Sequence, residues 1–115
     1  MPVVNKLKTM DDFHKAINES NEHPVLICKF SPVCPTSAMA EREFESFISD
    51  APTEAAYYTL DVIYDRDVAR GLSKEINIRH ESPQALLFKN EECVWHDSHY
   101  ELTKDTFQEE VSKFI

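Results

Sequence analysis

Val25-Leu26-Ile27-Cys28-Lys29-Phe30 is a nearly unbroken apolar run, and it narrows the folds open to this chain. Such a run suits a strand covered on both faces, as strands of parallel sheets are. It is followed at once by Ser31-Pro32-Val33-Cys34-Pro35-Thr36-Ser37 and then by a helical pattern. Ala40, Phe44, Phe47 and Ile48 recur at i, i+4, i+7 and i+8, which marks one buried helix face. Asp50-Ala51-Pro52-Thr53 breaks that helix, and Ala56 to Ile63 is rich in β-formers. A strand, a helix and a second strand in this order predict a right-handed parallel crossover.

The flanking segments extend the pattern. Thr9 with Asp12 three residues on reads as a capping box before the stripe Phe13, Ala16, Ile17. Val68, Leu72 and Ile76 give a third helical stripe, weakened by Gly71. Ala85–Lys89 and Cys93–His96 predict two short strands joined by a tight turn near Asn90-Glu91, hence an antiparallel hairpin. Thr103 caps a last helix whose apolar side is Phe107, Val111, Phe114 and Ile115. With a short first strand at Val3-Val4 the sheet would have five strands, otherwise four. A mixed α/β sheet flanked by helices buries all these faces, and the element order is that of the thioredoxin fold.

The chain has 115 residues, enough for one domain over residues 1–115 with a single core. Its 12 basic and 21 acidic residues give a net charge of −9, which disfavours nucleic acid and anionic membranes as partners. No apolar run approaches the roughly 20 residues of a membrane span. The first residues, Met1 to Lys8, lack the apolar core of a signal peptide. Three cysteines without a tight pattern do not form a disulfide framework, so a reducing cytoplasm and a monomer are expected. A single glycine excludes glycine-rich phosphate loops.

Chemistry concentrates at Cys34. A thiol between a buried strand and a helix N-terminus meets free N–H groups and the positive end of the helix dipole. In such settings a thiol pKa falls from about 8.5 to roughly 3.5–7.5. Pro35 suits the first helical turn, where its missing N–H is not needed. Thr36, Ser37 and the free N–H groups of that turn are expected to donate to the sulfur. Ser37 stands where a Cys-X-X-Cys pair would have its second thiol, so the site has one cysteine. The second element is His80-Glu81-Ser82-Pro83-Gln84, in which Pro83 leads into a strand after a polar turn, a setting for a cis peptide bond. In the thioredoxin fold such a loop packs against the active thiol, and the backbone before the proline pairs with the bound partner.

Cys93, His96 and His99 have Cys-x2-His-x2-His spacing. Residues three apart on a strand point to opposite faces, so no metal site is expected there. His80 is a further candidate for a hydrogen bond to a thiolate or a ligand carboxylate.

Four segments together carry a family resemblance: Cys34-Pro35-Thr36-Ser37-Ala38, Tyr57-Tyr58-Thr59-Leu60-Asp61-Val62, His80-Glu81-Ser82-Pro83-Gln84-Ala85, and Trp95-His96-Asp97-Ser98-His99 followed by Leu102-Thr103. The chain resembles the monothiol bacilliredoxins, the YtxJ-like redox proteins of the bacillithiol system, over nearly its whole length. It departs from them at Thr36, where isoleucine is expected. The resemblance implies that bacillithiol is the co-substrate and that no cofactor is bound. Cys34 would attack a bacillithiolated protein and free its thiol, with Pro35, Thr36, Ser37, His80, Ser82 and Pro83 stabilising the thiolate or binding the ligand. It also suggests ligand contacts for Trp95-His96 and Ser98-His99. A second bacillithiol, Cys93 or Cys28 would then resolve the Cys34 adduct. Lys29 and Arg79 are expected to offer positive charge to the carboxylates of bacillithiol. Two other readings remain open: a non-catalytic thioredoxin-like adaptor, and an iron–sulfur carrier of the monothiol glutaredoxin type.

Overall fold

In a computed structural model covering residues 1–115, the chain forms β1 (Val4–Lys6), α1 (Met10–Glu19), β2 (Val25–Phe30), α2 (Pro35–Ile48) and β3 (Ala56–Asp61). These are followed by α3 (Arg66–Ile76), β4 (Gln84–Lys89), β5 (Glu92–Ser98), a 3-10 turn at His99–Glu101, and α4 (Lys104–Ser112). The five strands make one mixed sheet in the order β1-β3-β2-β4-β5. β2 runs parallel to β3 and antiparallel to β4, and β5 returns antiparallel to β4. The central position of β2 explains its apolar sequence, since all six of its residues are buried.

Helices cover both faces. On one face α2 and α4 close over Leu26, Cys28, Phe30, Tyr57 and Leu87 with Phe44, Phe47 and Phe107. On the other, α1 and α3 close over Val25, Ile27, Leu60, Leu86 and Phe88 with Phe13, Val68 and Leu72. Aromatic side chains of 150–250 Å² each supply much of the apolar area removed from water. Phe107 stacks edge-on with both Phe44 and Trp95. Trp95 is thereby a packing residue of this core. The last helix is shorter than its apolar pattern: it stops at Ser112, and Ile115 lies half exposed beyond it.

Local signals account for the ends of the elements. The Thr9 side chain accepts from Asp12 N–H, and the Asp12 carboxylate accepts from the N–H groups of Thr9 and Lys8. These bonds hold the Asp12 carboxyl below its ordinary range, the Lys8 N–H first. Thr103 caps α4 through Thr106 N–H in the same way. At the sole glycine, Gly71, a Cβ would come 3.0 Å from Sδ of the flexible Met10 side chain, where α1 packs on α3.

Lacking further glycines, the chain places Asn77, Asn90, Glu91 and His99 in the left-handed region. The hairpin turn is pinned to the end of α1: Asn90 N–H donates to Ser20 O and Glu91 N–H to Ser20 Oγ, each at 2.8 Å. Glu91, at φ 65°, bears a side chain where glycine is preferred. Glu91→Gly relieves this but gives up the bond that the Glu91 carboxylate accepts from Asn21 Nδ2 at 2.6 Å, so a gain of at most about 0.5 kcal/mol is expected after the larger unfolded-state entropy is counted. A rise in the urea midpoint at unchanged m-value would show it.

β5 does not alternate cleanly. Leu87 faces Trp95 and Phe88 faces Cys93, so Val94 bulges out of register. The bulge turns Trp95 and Cys93 to opposite faces and puts Cys93 on the same face as His96, contrary to simple alternation. No group of three or more His, Cys, Asp or Glu side chains converges there or elsewhere in the structure. No helix is long and apolar enough to cross a membrane.

Candidate active site

Cys34 is the N-cap residue of α2, in extended backbone conformation, with Pro35 at the first helical position. Its thiol is half-buried and free. Its side chain makes no capping hydrogen bond, so the expected donation from the first turn to the sulfur is absent. Ser37 serves a different purpose. It is fully buried, and its Oγ accepts from Ser31 N–H at 2.6 Å, tying the end of β2 to the first turn of α2. The residue in the second-thiol position thus braces the loop that presents Cys34. Pro35 is exposed and Thr36 half-exposed, and α2 meets the 3-10 turn across a groove of about 330 Å³ lined by Thr36, Met39, His99 and Tyr100.

The second element lies at the same end of the sheet. Lys29 pairs with Gln84 across β2 and β4, which brings Pro83 level with Phe30, four residues before Cys34. The Ser82–Pro83 peptide bond is cis. His99 N–H donates to Pro83 O at 3.1 Å, so the turn after β5 closes over this loop. The His99 ring lies 3.0 Å from the Glu81 carboxylate, which Arg79 also approaches at 3.4 Å. Ser82 Oγ is buried and has no hydrogen-bond partner. A buried hydroxyl without a partner is costly.

Lys29 is not a surface charge beside Cys34. It is fully buried on the α1/α3 face, across the sheet from α2. Its ammonium donates to Ser73 Oγ at 2.8 Å, His80 Nδ1 at 2.9 Å and Gln84 Oε1 at 2.8 Å. Burial, then the nearby Arg70 charge, pulls the ammonium pKa down to about 7. The same burial, and then Lys29 itself, lowers the pKa of His80. His80 therefore faces inward as an acceptor for Lys29. Of the two cations expected to meet a ligand carboxylate, only Arg79 stands in solvent, its side chain 90% exposed.

The two other thiols lie apart from Cys34 in different ways. Cys28 is fully buried, and burial pushes its pKa well up. Cys93 pairs with Phe88, which pairs with Val25, so it sits at the opposite end of the sheet. Five residue steps along β2 at about 3.3 Å put about 16 Å between those ends. A disulfide needs Cα atoms within about 7 Å. The Cys93 thiol also donates to Trp95 O, and burial raises its pKa to about 11.

Sequence reasoning missed the role of Ser31, the inward turn of His80 and the burial of Lys29. A lysine inside a six-residue apolar strand was the one available sign of the last.

Comparison with known proteins agrees with this geometry. The chain is 34% identical to a solved protein with a thioredoxin fold and a proposed oxidoreductase role, with TM-score 0.81, covering 93% of this chain and 92% of that one. Thioredoxins of Malassezia sympodialis and Fasciola hepatica share the fold at TM-score 0.76. They are 22% and 17% identical and cover 97% and 96% of this chain, and 90% and 99% of their own. Residues 5–107 match the family described as Monothiol bacilliredoxin BrxC. A lone thiol at the head of α2 in a thioredoxin-like oxidoreductase fold, with that match over most of the chain, makes this a thiol redox protein that belongs to the monothiol bacilliredoxin family.

Proposed function

We propose that the protein removes bacillithiol from mixed disulfides on cytoplasmic client proteins, with Cys34 as the nucleophile. The observation that carries this reading is the solitary half-exposed Cys34 thiol, with a buried, committed serine where a second thiol would stand. The Cys34 thiolate attacks the bacillithiol sulfur of the client disulfide. The Cys34–bacillithiol bond forms, the client S–S bond breaks, and the client leaves as a thiolate that takes a proton from water. A second bacillithiol thiolate then attacks the adduct, releasing bacillithiol disulfide and regenerating Cys34. The remoteness of Cys93 and the burial of Cys28 support resolution from solution. The backbone before Pro83 and the Arg79 guanidinium are the groups proposed to seat the substrate, as donors and as positive charge for its carboxylates. The protein needs no bound cofactor for this exchange.

Intact mass after exposure to bacillithiol disulfide, with glutathione disulfide in parallel and Cys34→Ser as control, tests the reading. A single bacillithiol adduct that disappears in Cys34→Ser is the expected result. Equal labelling by both disulfides would make the protein a general thiol carrier. Absence of any Cys34-dependent adduct would leave a non-catalytic adaptor. Visible absorbance and dimerisation after anaerobic reconstitution with iron and sulfide would favour an iron–sulfur carrier instead.

A further inference from the structure

Lys29 has no carboxylate within ion-pair distance, although its side chain is completely shut from solvent. An uncompensated buried ammonium is expensive, and a chain has many apolar residues better suited to the centre of β2. All three of its protons are used, on acceptors 44, 51 and 55 residues away in sequence. Two of those acceptors flank the loop that carries Ser82 and Pro83. Gln84, itself buried, passes the contact on: its Nε2 donates to Arg79 O at 2.9 Å and its Oε1 accepts from Glu81 N–H at 3.4 Å. His80 lies between these two backbone groups. The ammonium thus ties α3 to both ends of the segment from Arg79 to Gln84.

We propose that Lys29 is a positioning residue for exchange at Cys34: through Ser73, His80 and Gln84 it holds the 79–83 loop in the shape that receives the mixed-disulfide substrate. The proposal rests on the reading of that loop as the substrate-facing edge of the site. The groups facing the ammonium are Ser73 and Arg70 of α3, His80 and Glu81 of the loop, and Gln84 of β4. The ammonium donates to all three acceptors at once, whereas a neutral amine keeps two donors and its contact with His80 then requires the Nδ1–H tautomer of that ring, so the loop is held most firmly in the charged form.

Four measurements test it on Lys29→Met, on Ser73→Ala, which removes one acceptor on α3 outside the loop, and on the double variant. Amide hydrogen exchange at residues 79–82 is expected to quicken at least about tenfold in Lys29→Met and less in Ser73→Ala. KM for a bacillithiolated model protein should rise about tenfold in Lys29→Met and about threefold in Ser73→Ala. In the double variant it should rise no further than in Lys29→Met alone. Wild-type KM should climb between pH 6 and pH 8.5, and the Lys29→Met value should stay high and flat. Alkylation of Cys34 by iodoacetamide, which needs no docking, should stay within about twofold. Unchanged exchange, unchanged KM, or a parallel loss of alkylation and KM in both variants would overturn the proposal. If wild type does not act on the bacillithiolated protein, the substrate assignment fails. The Lys29 proposal is then decided by the exchange data and by the same KM comparison on a glutathionylated protein.

Discussion

Cys34→Ser is expected to lower turnover of a bacillithiolated protein to the uncatalysed background, a loss of at least about a thousandfold, whereas Cys28→Ala with Cys93→Ser should retain it within about threefold. Only a thiolate attacks a disulfide at a useful rate, and serine supplies none near neutral pH. Neither remaining thiol can substitute. Cys93, raised to about 11 from an ordinary 9.0, carries about a hundredfold less thiolate near neutrality than an unperturbed cysteine. It also lies at the wrong end of the sheet. Cys28 has no exposed surface. Steady-state release of the client thiol by the three proteins settles the matter. Full activity in Cys34→Ser would refute the nucleophile assignment. A loss beyond about tenfold in the double variant would restore internal resolution by one of the other cysteines.

Relative to Lys29→Met, wild type should gain roughly 1.5 kcal/mol of stability between pH 7 and pH 8.5. The folded-state pKa of Lys29, about 7, lies below the unfolded value of 10.5, so across this window the unfolded chain binds more protons. Stability therefore increases with pH as the folded ammonium deprotonates, and the charge is a cost below about pH 7. Above about pH 8.5 the trend reverses. Cys28, Cys93, Tyr57 and Tyr58 all have folded values raised by burial first of all, so their unfolded forms ionise earlier and draw the equilibrium away from the fold. Urea unfolding at half-unit pH steps would reveal a maximum near pH 8.5. A wild-type curve parallel to that of Lys29→Met would show that the ammonium is not depressed.

What could be read from the sequence was local in origin. The Thr9–Asp12 box, the apolar β2 run and the i, i+4, i+7 face of α2 each depend on neighbours a few residues apart, and each appears as expected. The position of Cys34 at a strand–helix junction follows from the same short-range signals. Lys29 did not follow, because a lysine in a strand reads as a solvent-seeking charge unless its three acceptors are known. Those acceptors are brought together only by the closed sheet. The inward turn of His80 depends on Lys29 and was hidden for the same reason. The role of Ser37 was likewise obscured: a hydroxyl three residues after a thiol suggests help for sulfur, whereas the chain reversal after β2 turns it toward Ser31 N–H. The facing of Cys93 was set by a bulge at Val94, which no alternation rule anticipates from composition.

The two borders of the sheet have a consequence for how the molecule meets other chains. An open strand border is a template on which foreign chains add and aggregates grow. Here β1 offers only three residues, and β5 is interrupted at Val94 and carries Glu92, His96 and Asp97 among its seven. Neither presents a long, flat, apolar row of free amides and carbonyls. Another chain can therefore approach this molecule at the end that bears Cys34 without being recruited along the sheet into an insoluble assembly.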